Sequence, residues 1–403
     1  MARLSRQQMQ KFSKRLSGNV IIFIVALSLA VGYFAGTKSD LILSAIGPVF
    51  GYKIYAGDID LSSLQATYKA LKANYEGNLN DSSLIEGANK GLVNAAGDKY
   101  TQYMSSAEAT AFQNDLSGTI GGGIGAEIST RNSQITIVRV LKDNAAISAG
   151  LKDGDVILKI NDESVDGWTV EQAVAQIRGD VGTTVKLAIQ RGSEVKDYTV
   201  TRALVTNPSV ESSMADGLGI MAISRFDDQT TDMARAVAQD FKNNGVKAVI
   251  LDLRDNGGGY VDAAQAVAGL WLDNKVVVTE RANGKVVSTL KSGSNALLAG
   301  IPTVVLVNSG SASASEIVSG ALQDYGIAKL VGEKTYGKGS VQKLIALPEG
   351  AELKVTVAKW YTPNGNNIAQ SGVIPDISAL LTQADVDAGH DPQLDAAKKT
   401  LGL

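Results

Sequence analysis

The 403-residue chain contains no cysteine and a single histidine, His390. The first absence excludes thiolate catalysis, disulfides and thiolate metal sites. The second leaves zinc without a ligand set, because zinc sites combine several His or Cys side chains; no metal and no other cofactor is expected. Seven scattered prolines form no rigid linker. Neither sign of charge dominates, the net charge being −3, so the chain carries no global basic footprint for nucleic acid. Lack of cysteine suits an exported protein as well as a cytosolic one. It does not locate the chain.

What is present locates it better. Arg3, Arg6, Lys11, Lys14 and Arg15 precede an uncharged run over residues 16–37. As a helix that run would be roughly 33 Å long, enough for a hydrocarbon core of about 30 Å. Basic residues before the span keep the N-terminus in the cytoplasm. The sequence therefore predicts a single-pass anchor in the cell membrane, with the rest of the chain extracytoplasmic, periplasmic or extracellular. No convincing small-x-small cleavage site follows the span. The apolar patch from Leu41 to Tyr52, which holds Pro48, is too short to cross and reads as linker or interfacial segment.

With 44% hydrophobic residues the chain can build two or three cores. Residues 57–117 have helical spacing: Leu64, Tyr68, Leu71 and Tyr75 share a face. Ser83–Glu86 and Ser105–Glu108 have capping-box spacing. From Gly118 glycines and two-residue alternation take over, in "GTIGGGIGAEIST" and "SQITIVRVL". A helix over Thr169–Arg178 and a strand over Thr184–Gln190 follow. From about residue 207, "GIMAISRF", "VKAVILDLRDN", "PTVVLVNSG" and "ELKVTVAKWYTPNG" read as strands between helices, the pattern of an α/β core. Residues after Leu381 read as a polar tail. The layout is a basic segment (1–15), anchor (16–37), linker (38–56), helical module (57–117), second domain (118–206), α/β domain (207–380) and tail (381–403).

The stretch "SGSASASEIV" alternates Ser311, Ser313 and Ser315 with alanines after a strand. Ser313 and Glu316 have capping-box spacing, which by itself describes an ordinary helix start, as at Ser83 and Ser105. The segment "GEKTYGKGSVQ" adds Lys338 between two glycines. Gly332 to Lys338 fits the spacing of a phosphate loop, but Gly339 stands where a hydroxyl residue must follow, and a strand stands where a helix must open. A dinucleotide loop at Gly121, Gly123 and Ala126 fails for the same lack of a helix. The alternative makes Lys338 the base for a serine. Accepting a proton near pH 7 requires a fall of roughly three units from about 10.4, which desolvation can supply. Ser-Lys pairs are an attested form of the serine nucleophile.

Two resemblances sharpen this. Gly150-Leu151, Gly154-Asp155-Val156-Ile157 and Ile160-Asn161 resemble a PDZ domain over residues 119–204. The resemblance implies that Gly123, Ile124 and Gly125 offer backbone N–H groups to the C-terminal carboxylate of a peptide that adds as a strand. The segments "NSGSASASEIVSGALQD", "VGEKTYGKGSVQ", "KVTVAKWYTPNGNNI", "LDLRDNGGGY" and "GVIPDI" resemble the C-terminal processing peptidases, or tail-specific proteases, over residues 60–378. That family implies Ser313 as nucleophile, Lys338 as base and Gln342 orienting the lysine. It implies an oxyanion site from the N–H of Ala314 and of Gly258 or Gly259, with Gly257 where the family often has proline. Arg178 matches an arginine that relays peptide binding to the active site. The expected whole is an α+β and α/β multidomain chain: N-terminal transmembrane helix, helical module, PDZ domain, then an α/β protease core. It would cut unfolded protein or peptide substrates with apolar C-terminal tails. A homo-oligomer or an activating partner protein is compatible with this layout, and a catalytically silent PDZ scaffold is the rival.

Overall fold

A computed structural model describes residues 28, 57 and 59–403, apart from 119–120, 132–133, 206, 370, 383 and 386–387. The expected basic segment, anchor and linker (1–15, 16–37, 38–56) lie outside the described residues. Among the described residues no helix is long and apolar enough to cross a membrane.

Two compact units are distinguished, 1–81 and 82–403. In the first, the predicted helix spans Ser62–Asn74 and buries no side chain. Tyr75 lies just past its end in extended backbone. In the second, Asp81–Asn94 and Ser106–Leu116 are the remaining helices of the predicted module. Ser105 is an N-cap as expected, at φ −62°, ψ 166°. Ser83 is not: its helix already starts at Asp81, so the Ser83–Glu86 spacing lies inside a helix.

The PDZ-like domain is built on strands Ala126–Arg131, Gln134–Val140, Val156–Ile160, Thr184–Arg191 and Glu194–Thr201, neighbours in that order. Alternation along Thr184–Arg191 buries Val185, Leu187 and Ile189, which meet Ile137, Ile157 and Ala173 in a core of their own. Each such side chain contributes roughly 1.5–3 kcal/mol by leaving water. Helix Val170–Ile177 is N-capped by Thr169, whose hydroxyl accepts the Gln172 N–H. Its C-terminal carbonyls are held by buried Arg202, which donates to the oxygens of Gln176 and Ile177 at 3.0 and 2.7 Å.

The α/β core carries a sheet in spatial order Val210–Ala215, Leu218–Ile223, Ala248–Asp252, Thr303–Val307, Ala328–Gly332, Ile377–Ser378. The first pair is antiparallel and the rest run parallel. Parallel strands are covered on both faces and therefore read as continuous apolar runs. Here Val249, Leu251, Val305 and Val307 face helices Thr230–Asn243, Val261–Ala268 and Ala314–Asp324, with Phe226 and Phe241 fully buried. Ala248, Ile250, Val304 and Leu306 face the other way, and there the expected polar tail proves to be structural. Asp391 caps helix Pro392–Thr400, whose Ala397 is buried against those strands. The Asp-Pro start and the spacing of Leu394, Ala397 and Leu401 carried that signal. Without this helix one face of the sheet would lie open.

A second sheet joins Gln102–Met104, Glu352–Tyr361, Val276–Ala282 and Lys285–Lys291, with Ser340–Ala346 also paired to Glu352–Tyr361. Its first strand comes from the segment that helical spacing placed in the N-terminal module. Gln102 pairs with Lys354 and Met104 with Glu352, and the Thr101 hydroxyl accepts the Thr356 N–H at 3.1 Å. The PDZ-like domain therefore interrupts the protease-like core in sequence, because strand Gln102–Met104 precedes it.

Candidate active site

Strand Thr303–Val307 ends at Asn308, at the carboxyl edge of the parallel sheet where such folds gather their ligands. The chain then turns into helix Ala314–Asp324. From 311 to 322 every residue is buried except Ser313. Its two neighbouring serines are fasteners: Ser311 donates to the Leu253 carbonyl at 2.7 Å and Ser315 to that of Asn256 at 2.9 Å. Ser313 sits at φ 55°, ψ −111° and makes no side-chain capping hydrogen bond. Ser105 and Thr169, with the same spacing, stay in ordinary extended backbone. The third box is thus backbone-strained, and its serine is the one residue of that run left partly accessible.

Glu316 is fully buried and accepts four hydrogen bonds. Thr335 Oγ1 and the Gly337 N–H donate to Oε1 at 2.6 and 2.7 Å; the N–H groups of Ser313 and Lys338 donate to Oε2 at 2.8 and 2.9 Å. Burial pushes its carboxyl above the usual range, and the four donors pull it back. The sequence showed this residue only as a capping partner. In three dimensions it joins the serine turn to the lysine loop.

Lys338 lies in the loop before strand Ser340–Ala346. Gly339 must be glycine, since a Cβ there would stand 2.0 Å from the Ala369 nitrogen. Lys338 Nζ lies 6.0 Å from the centre of the Tyr100 ring. Burial lowers its pKa below the ordinary 10.5, with the Glu316 charge opposing the shift. Lys338, Ser313 and Gln342 line one cleft of about 530 Å³, together with Gly257, Gly258 and Gly259.

Gln342 does not hydrogen-bond Lys338. Its Nε2 donates to Thr356 Oγ1 at 2.7 Å and to Ser340 Oγ at 3.4 Å. Its Oε1 is buried and has no partner. The two glycines expected at an oxyanion site also differ. Gly258, at φ 103°, packs against the nucleophile turn, where an added Cβ would lie 2.7 Å from Ser313 Cβ and 3.0 Å from Ala314 N. Its N–H donates to Asn256 Oδ1 at 2.9 Å. Gly259 carries no such side-chain bond. Ala314 begins the helix, so its N–H points out of the helix end. His390 lies elsewhere, exposed between Asp385 and Asp395, which raise its pKa.

Gly123, Ile124 and Gly125 line a groove of about 400 Å³ beside Ala126–Arg131, an edge strand of its sheet. Arg178, exposed at the end of helix Val170–Ile177, belongs to that groove and also to a neighbouring cavity of about 860 Å³. Asp115 and Arg225 line that cavity and the cleft of Ser313 alike. Phe112, Asp115 and Arg225, which line the cleft, and Tyr100, whose ring lies near Lys338, carried no sequence signal, because nothing local to them marks the distant site they meet.

Residues 217–379 match the model of peptidase family S41, and residues 114–190 that of the PDZ domain. A Staphylococcus haemolyticus (strain JCSC1435) protein named "Probable CtpA-like serine protease" is 37% identical over 319 residues, covering 79% of this chain and 64% of its own length. A Staphylococcus aureus (strain MRSA252) protein of the same name is 35% identical over 321 residues, with 79% and 64% covered. The chain thus spans just under two thirds of these curated relatives. Among solved structures, the photosystem II D1 C-terminal processing protease superposes with a TM-score of 0.50 at 26% identity, over 79% of this chain and 86% of that one. A Bacteroides fragilis NCTC 9343 protein titled "Putative S41 protease" shares the fold at 17% identity, with a TM-score of 0.57 and 87% and 99% covered.

Proposed function

This chain belongs to peptidase family S41 and carries a PDZ domain ahead of the family's core, and from that premise we propose that it is a serine endopeptidase using Ser313 and Lys338, held at the membrane by residues 16–37. One observation carries the catalytic part. Ser313 is the single accessible residue in a buried run, and it opens onto a cleft shared with a lysine whose pKa burial depresses.

In this mechanism neutral Lys338 takes the proton of Ser313 Oγ as the oxygen attacks the scissile carbonyl. The tetrahedral oxyanion accepts from the Ala314 N–H and from the glycine turn 258–259. The C–N bond breaks, the Lys338 ammonium returns a proton to the leaving amine, and an ester on Ser313 remains. Lys338 then deprotonates water, which attacks the ester; the released acid leaves and Oγ regains its proton. The unpartnered Oε1 of Gln342 is an acceptor available to the lysine within the cleft. Tail capture falls to the groove at Gly123, Ile124 and Gly125, where a peptide adds to the free edge of Ala126–Arg131. The residues shared by successive cavities, Arg178 first and then Asp115 and Arg225, support a route from that groove to Ser313 along which Arg178 would act as relay.

The test is cleavage of an unfolded reporter with an apolar C-terminal tail by the full chain and by Ser313→Ala and Lys338→Ala. Both substitutions should abolish cleavage while tail binding persists. Tail binding without cleavage by the unaltered chain would leave a peptide-binding scaffold instead.

A further inference from the structure

The cleft holds a second lysine that the mechanism above does not use. Lys354 lies on strand Glu352–Tyr361, whose alternate residues Glu352, Lys354 and Thr356 share one face. Glu352 is engaged by Gln113 Nε2 at 3.3 Å, and Thr356 by Gln342. Between them Lys354 lines the same cleft as Ser313 and Lys338, with its ammonium 4.9 Å from the centre of the Phe112 ring. Among the described residues its ammonium forms no ion pair and no hydrogen bond. Asp115, one helical turn beyond Phe112, also lines the cleft without pairing to it. Burial lowers the Lys354 pKa, and the nearby Lys338 lowers it further.

A bland account exists: the stem packs on Phe112 while the ammonium reaches water. That account does not explain why the cleft wall offers a cation beside the reacting serine with every neighbouring carboxylate engaged elsewhere or held apart. A half-buried ammonium without a counter-ion is poised for one that arrives with the ligand.

We propose that Lys354 is a substrate-recognition residue that binds a carboxylate of the bound polypeptide beside the scissile bond, so that the enzyme prefers an acidic group there. The carboxylate is either an Asp or Glu side chain or the free C-terminus of a short tail. This rests on the protease reading given above and extends it to substrate class.

The experiment uses the full chain and a matched peptide series. Glu, Gln or Lys is placed in turn at each position around the cut, and every peptide is made with a free and with an amidated C-terminus. The Glu peptide at one position should exceed its Gln counterpart in kcat/KM by about tenfold, the scale of a partly desolvated charge pair. A side-chain carboxylate survives amidation, whereas a terminal one does not. Lys354→Arg should keep the preference, Lys354→Gln should flatten it, and Lys354→Glu should turn it toward Lys. A second readout needs no chemistry: binding of the same peptides to Ser313→Ala and to Ser313→Ala/Lys354→Glu, followed by fluorescence anisotropy. A charge preference present in the first protein and reversed in the second supports the subsite even if no cleavage is ever seen. That last result would remove only the protease reading. Equal Glu, Gln and Lys affinities in both proteins, with free and amidated ends alike, would overturn the role of Lys354 whatever the cleavage assay gives.

Discussion

Ser313 and Lys338 donate their backbone N–H groups to one and the same atom, Oε2 of Glu316, at 2.8 and 2.9 Å. The proposed nucleophile and its proposed base, which come from different loops, are thereby held at a common point by a buried carboxylate. Replacing Glu316 with Gln turns one acceptor into a donor facing donors. Each buried group left unsatisfied costs about 1–3 kcal/mol, so Glu316→Gln should lower stability by at least ~2 kcal/mol in urea denaturation. Cleavage should fall with it. An unchanged unfolding midpoint would show that the clamp is not needed.

Strain at Ser313 gives a second expectation. A non-glycine residue in so sparsely populated a backbone region costs about 1–3 kcal/mol. Ser313→Gly should therefore unfold at higher denaturant than Ser313→Ala, by about 1 kcal/mol after the entropy cost of glycine in the unfolded chain. Both variants should be inactive. Equal stability of the two would mean that the turn relaxes in solution.

The lowered pKa of Lys338 has two consequences of defined sign. As a base it must be neutral, so kcat/KM should rise with pH through a value below the ordinary 10.5. The folded state holds its proton less readily than the unfolded chain, so stability should also rise with pH between that lowered value and 10.5. Lys338→Met removes the buried charge and should stabilise the inactive protein at neutral pH by about 1 kcal/mol. A loss of stability in calorimetry would contradict a desolvated amine.

Gly258 permits no side chain. At φ 103°, an alanine Cβ would lie 2.7 Å from Ser313 Cβ and 2.9 Å from the Ala312 carbonyl. By pushing the glycine turn away from Ser313 and Ala314, Gly258→Ala should lower kcat by about 100-fold or more, the scale of one misplaced oxyanion donor. Titration calorimetry with a tail peptide should give unchanged affinity, since the groove at residues 123–125 is separate. Near-normal cleavage would remove this turn from the site.

Strands of the α/β core were legible because burial on both faces leaves uninterrupted apolar runs, as in "KAVILDL" and "TVVLV". Ser313 was legible only as one of three capping serines. What separates it from Ser105, backbone conformation and accessibility, is a property of the packed turn. Lys338 announced itself through its flanking glycines, and the reason is the approach of Ala369 at Gly339. Glu316 was legible at its spacing but not in its second attachment, which comes from the Thr335–Lys338 loop. Helix Pro392–Thr400 was misjudged because its surface is charged and its apolar stripe is narrow: Leu394, Ala397 and Leu401. The cleft walls Phe112 and Lys354, and the Tyr100 ring near Lys338, depend on a strand pairing between positions 102–104 and 352–354, which no local pattern encodes.

That pairing makes the PDZ domain a guest with two seams. A fragment started at residue 118 would lose the edge strand and the ring over Lys338 together, and so would be a crippled cutter rather than a truncated one. Swapping tail preference between relatives thus demands a cassette joined at both ends, near 118 and near 206, with the host sheet left whole on either side of it.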